Sequence, residues 1–87
     1  MKLKEGFVLR EIDQEYLVVP VQERAKEIHG IISLSETGAF LWKLLASETK
    51  EEELIKAVLE EYDVDEKVAE TDVKDFLKEV SKHGFLD

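Results

Sequence analysis

The chain has 87 residues and no cysteine. That length supports a single domain, and the missing thiols exclude disulfides, thiolate nucleophiles and Cys-based zinc or iron–sulfur sites. The formal net charge is −9, and residues 48–87 hold nearly all of the excess, with 14 acidic against 6 basic side chains. Because Lys and Arg contacts to phosphate supply much of the affinity for DNA, a chain this acidic is expected to bind neither nucleic acid nor an anionic membrane surface.

Hydrophobic residues at 44% and charged residues at 38% describe a globular chain, not a disordered one. No apolar run approaches the ~20 residues that span a bilayer. No apolar signal-peptide core follows Met1-Lys2-Leu3-Lys4-Glu5-Gly6. The expected location is cytoplasmic.

The first third reads as strands. Phe7 to Ile12 and Glu15 to Val19 are rich in β-branched, aromatic and aliphatic residues. Asp13-Gln14 between them forms a short turn, so the pair is expected to be a hairpin, although the turn lacks glycine. Pro20 is expected to end the second run, since it has no N–H for a ladder. Val21 to Glu27 is polar and undirected. Ile28 to Leu34 offers a third short strand, with Gly30 as a bulge or a strand start.

Three helices follow. Ser35 is a plausible N-cap with Glu36 in the first turn. Ala39, Phe40, Leu41, Trp42, Leu44 and Leu45 make the helix apolar nearly all round, which predicts a buried central helix. Thr49-Lys50-Glu51-Glu52 fits a capping box. The stripe Leu54, Ile55, Val58, Leu59, Tyr62 lies behind it. Asp65 is the expected N-cap of the last helix, whose stripe is Ala69, Val73, Phe76, Leu77 and Val80. Gly84 stands where a C′ glycine belongs, with Phe85 and Leu86 folding back onto the core. Strands followed by helices predict an α+β fold: a three-stranded antiparallel sheet followed by three helices, winged-helix-like in its parts.

Little in the chain points to catalysis. His29 and His83 are far apart and outside any motif. His29 reads as a strand residue, and His83 is explained by the dipole at a helix C-terminus. The acidic clusters Glu51-Glu52-Glu53, Glu60-Glu61 and Asp63/Asp65 read as solvated faces and caps. Glu52–Lys56 and Glu70–Lys74 are spaced as helix-supporting pairs. Asp63-Val64-Asp65-Glu66 lacks the glycine and ligand spacing of a calcium loop, and no phosphate-binding glycine motif is present. Ser33, Ser35, Ser47 and Ser81 lack a nucleophile-elbow context. Trp42 and Phe40 read as core. No enzyme activity, cofactor or metal is expected.

What remains is interaction. An edge strand exposes unpaired N–H and C=O groups, and an extended peptide can add to it as a further strand. The residues alone leave this open beside a plainer reading, in which the last helix simply covers the third strand. An open edge also allows two copies to pair, so monomer and edge-paired dimer both stand.

Several segments shift that balance. They are Leu34-Ser35-Glu36-Thr37-Gly38-Ala39-Phe40-Leu41-Trp42-Lys43-Leu44-Leu45, then Thr49 to Leu54, Val58 to Tyr62, Asp72-Val73 with Phe76-Leu77, and Gly84-Phe85-Leu86. In that order, with Tyr16-Leu17-Val18-Val19-Pro20 before them, they resemble the PqqD-like family, coenzyme PQQ synthesis protein D, over nearly the whole chain. The resemblance implies a winged-helix-like peptide-recognition domain. It would bind the leader segment of a ribosomally made precursor peptide and deliver it to a maturase, commonly a radical-SAM enzyme. The leader would add to the third strand, here Ile31, Ile32, Ser33 and Leu34, and lie against the last helix at Val73, Phe76, Leu77 and Val80. The Val21–Glu27 connection is longer than in members that make PQQ, so no product is assigned. The competing reading is a winged-helix DNA-binding regulator. It requires a basic recognition helix, whereas the last helix mixes four lysines with five acids: Glu66, Glu70, Asp72, Asp75 and Glu79.

Overall fold

The computed structural model describes residues 1–21 and 32–87. The expected Ile28–Ile31 start of the third strand, with His29 and Gly30, lies outside the described residues. Within them the order is β1 (Phe7–Ile12), β2 (Glu15–Pro20), β3 (Ile32–Leu34), α1 (Glu36–Leu44), α2 (Glu51–Glu61) and α3 (Glu66–Lys82). This is the expected α+β arrangement of a three-stranded antiparallel sheet, in the order β1-β2-β3, followed by three helices.

The β1–β2 hairpin closes through Asp13 and Gln14, both in the left-handed region at φ 51° and 67°. Two successive positive φ values fit the right-handed twist of the flanking strands, and the register Ile12↔Glu15 follows. Pro20 pairs with Phe7 and is the last residue of β2, so the strand ends at the proline as expected. Among the described residues β3 pairs with Tyr16, Leu17 and Val18, short of the proline, which has no N–H to offer a ladder.

Across the sheet, Leu9 pairs with Val18 and Val18 with Ile32. Directly opposed residues share a face, so this row turns to one side and packs into the core. Above it lies α1, with Ala39, Leu41 and Trp42 buried. The Ser35 hydroxyl accepts from the Gly38 N–H at 3.0 Å, as expected of an N-cap. The Asp65 carboxylate does the same for α3, accepting from Val68 N–H at 2.9 Å.

The expected capping box at Thr49 does not form. Lys50 is the N-cap of α2, and its N–H donates to the Glu53 carboxylate at 3.1 Å. An ammonium has no lone pair to return the bond, so only half of a box exists. The Thr49 hydroxyl is drawn instead to the carbonyls of Leu44 and Ser47, at 3.1 and 2.8 Å. The spaced pairs Glu52–Lys56 and Glu70–Lys74 do not close as ion pairs among the described residues. They are exposed or half-exposed, where such pairs contribute little.

The C-terminal end of α3 carries a complete stop. Gly84 takes φ 74°, its N–H donates to Ser81, and the Phe85 N–H reaches back to Val80 at 2.9 Å. These are the two bonds of a Schellman motif. They aim Phe85 into the core at 2% exposure. There it meets Phe7 at 4.6 Å and Trp42 edge-on at 5.5 Å, tying sheet, central helix and C-terminus together. Residues 1–4 run alongside: Leu3 N–H donates to Leu45, Lys4 N–H to Phe85 and Asp87 N–H to Lys2. Among the described residues no helix is long and apolar enough to cross a membrane.

Candidate peptide-binding groove

Among the described residues no strand pairs with the outer side of β3, which makes it one of the two open edges of the sheet, β1 being the other; β3 is the one that runs beside α1 and α3. Its side chains alternate. Ile32 and Leu34 are half-buried and packed against the core, and Ser33 is exposed. The outer edge therefore has a helix-facing side, continuing the rows Leu9–Val18–Ile32 and Glu11–Tyr16–Leu34.

A groove of about 460 Å³ runs beside this edge. One wall is the end of β3 and the first turn of α1: Ser33, Leu34, Ser35, Thr37 and Gly38. The other is two turns of α3, presenting Asp72, Asp75, Phe76 and Glu79. Those four stand at i, i+3, i+4 and i+7, one face of a helix. Gly38 packs closely on its own wall and stands at ordinary contact range from the α3 wall. A Cβ placed there would lie 3.3 Å from Ser35 Oγ, 3.4 Å from Leu34 Cβ and 3.6 Å from Phe76 Cδ1.

The expected site residues separate into groups. Ser33, Leu34 and Phe76 line the groove. Ile32 does not line it but sits on the same open edge. Ile31 lies outside the described residues. Val73 and Val80 are core residues at 0% and 1% exposure and do not line the groove. Leu77 is half-buried against the core and does not line it either. The physical reason is that one α3 stripe packs on α1 and α2, and only the neighbouring stripe faces β3. Phe76, at 6% exposure, is shared by both.

Sequence reasoning passed over Ser35, Thr37, Gly38, Asp72, Asp75 and Glu79 as groove residues. The signal was present for the acids: they flank Phe76 at helical spacing and no core role explains them. Asp72 is half-buried, while Asp75 and Glu79 are exposed. Glu79 is paired with His83 at 3.2 Å, and His83 also stacks on Phe85. Asp72 and Asp75 have no cationic partner among the described residues. At the α1 end, Thr37 lies beside Tyr62. Burial, then Glu36 and Glu61, raises the Tyr62 pKa above its ordinary 10.0, and Thr37 opposes that rise without cancelling it, so the phenol stays neutral. Tyr62 in turn packs edge-on against Phe40 at 5.5 Å.

The arrangement offers a peptide main chain an unpaired ladder, an apolar floor and a polar wall. His83 is the only histidine among the described residues, and its near partner is a carboxylate.

Two solved structures share the architecture over essentially the full chain. One is described as TbiB1 in complex with the TbiA(beta) leader peptide. It is 28% identical with a TM-score of 0.71, and the match covers 100% of both chains. The other, a lasso peptide synthetase B1 complexed with the leader peptide, is 15% identical with a TM-score of 0.71, covering 97% of this chain and 93% of that one. At that identity the second establishes the fold alone. No curated protein matches the chain. The family model for coenzyme PQQ synthesis protein D (PqqD) matches residues 15–86, from the start of β2 to the C-terminal stop, and the chain therefore belongs to the PqqD family.

Proposed function

We propose that this protein binds the leader segment of a ribosomally synthesised precursor peptide by adding it as a fourth strand to β3, and presents it to a separate modifying enzyme. A radical-SAM maturase is the kind of partner that the family resemblance implies. The observation that carries the reading is the open β3 edge running beside a groove walled by α3. A 28%-identical full-length neighbour with a leader peptide supports it. Main-chain bonds to β3 would supply affinity, and the groove would sort side chains. The protein's role is then recognition and delivery, with the chemistry on the partner. The DNA-binding alternative loses ground, because the exposed wall of α3 carries Asp72, Asp75 and Glu79 where phosphate contacts need cations.

Consecutive strand residues donate in opposite directions, one inward to the ladder and the next outward. The pair Ile32→Pro and Ser33→Pro therefore tests the reading directly. One of them removes an N–H bonded to β2, the other an N–H that faces the groove. The expected result is that one variant loses stability, while the other stays folded and loses leader binding by an order of magnitude or more, read by fluorescence anisotropy. If both unfold the protein to the same extent, or the folded one binds normally, strand addition at β3 is wrong.

A further inference from the structure

The charge of the groove points to the kind of peptide it takes, an inference that rests on the strand-addition reading above. Three of the described residues lining the groove are carboxylates, Asp72, Asp75 and Glu79, and none is Lys or Arg. Asp72 and Asp75 lack a cationic partner among the described residues. Only Glu79 is met, by His83, whose charge depends on protonation. Lys82 stands in the last turn of α3, and His83 is its C-cap. Between the acids lies Phe76, across the groove from Gly38 and Leu34. The wall is thus apolar in the middle and anionic on both sides.

A strand added to β3 shows every second side chain to the helix side. Residues opposite Ile32 and Leu34 continue the core-facing rows, and the residue opposite Ser33 turns away. Facing positions two residues apart are about 7 Å apart, so three of them span about 13 Å. From Asp72 to Glu79 the helix rises about 10 Å, a difference that long basic side chains absorb. We propose that the groove selects an extended segment with an apolar side chain over the Phe76–Leu34 floor, flanked two residues before and two residues after by Lys or Arg that face Asp72, Asp75 and Glu79. A leader with acids at those positions would meet like charge and be rejected.

The test uses the full chain and two nine-residue, end-capped, fluorescein-labelled peptides. One has Lys-Thr-Leu-Thr-Lys at its centre and the other Glu-Thr-Leu-Thr-Glu. Each is titrated by anisotropy and by amide NMR shifts. The basic peptide should bind at least about tenfold tighter at low salt, as expected for two or three partly exposed ion pairs. That ratio should fall to about twofold or less at high salt. The near-isosteric variant Asp72→Asn/Asp75→Asn/Glu79→Gln, checked for folding by circular dichroism, should bind the two peptides within about twofold of each other. If both peptides shift amides at residues 32–34 with equal affinity, strand addition stands and the charge rule falls. The same holds if the triple variant keeps the full preference. If neither peptide shifts those amides, the strand-addition reading falls, and this proposal with it.

Discussion

Gln14 sits at φ 67°, directly after Asp13 at φ 51°. Aspartate tolerates the left-handed region through local side-chain bonding, and glutamine gains no such help. The strain of a side chain there is about 1–2 kcal/mol, whereas glycine would lose about 0.5–1 kcal/mol in chain entropy. The first term is larger, so Gln14→Gly is expected to stabilise the domain by about 0.5 kcal/mol, measured by urea denaturation. A loss of stability would mean that the side chain does more than occupy the turn. The same local logic made three end signals legible in the sequence: Ser35, Asp65 and Gly84 act within their own turn. Thr49 was misread for the complementary reason. Its hydroxyl has carbonyl acceptors at the end of α1, Leu44, and in the connection after it, Ser47, which a capping motif reading forward from Thr49 does not contain.

At the scale of the element, α3 does two jobs with adjacent stripes. Ala69, Val73, Phe76 and Val80 are buried, while Asp72, Asp75, Phe76 and Glu79 face the groove. The two should be separable by mutation. Val73→Ala removes two buried methyl groups and should cost about 2–3 kcal/mol of stability. The folded protein should still bind leader peptide with unchanged affinity, since the side chain never reaches the groove. A matching loss of affinity in protein shown by circular dichroism to be fully folded would place Val73 at the peptide after all. Phe76 gives no such separation, because it belongs to both stripes and its removal would cost about 3–5 kcal/mol of folding. The periodicity of α3 revealed that one face is apolar. It did not reveal that the groove lies one stripe over, because that depends on the angle at which α3 meets β3.

For the whole molecule, the N-terminal segment has the largest consequence that local reading missed. Leu3 and Lys4 donate to Leu45 and Phe85, Asp87 donates to Lys2, and Thr49 donates to Met1. Leu3 also bridges Leu86 as an isolated antiparallel pair and packs against the core. Four backbone bonds at about 1 kcal/mol each are a large part of the 5–15 kcal/mol that holds a domain together. Removing residues 1–4 is therefore expected to lower stability by roughly 3 kcal/mol in urea denaturation. An effect under about 1 kcal/mol would show the segment to be decoration. It pins the α1–α2 connection to the Phe85 stop, and so helps to hold the central helix on which one groove wall stands.

Local sequence patterns sufficed for the elements, their order and the ends marked by Ser35, Asp65 and Gly84. They did so because hairpin alternation, helical periodicity and capping act over a few residues. The sequence also determined the acidity of the C-terminal half. Packing decided that the β3 edge is the one with a helix wall beside it, which stripe of α3 forms that wall, and that Asp72, Asp75 and Glu79 gather around Phe76 in one groove. Those facts depend on how elements distant in the chain pack against one another. The apolar pattern drives that packing but does not fix its angles. The family resemblance named the edge that a peptide would extend, but the charge of the wall that would sort that peptide came only from the packing of α3.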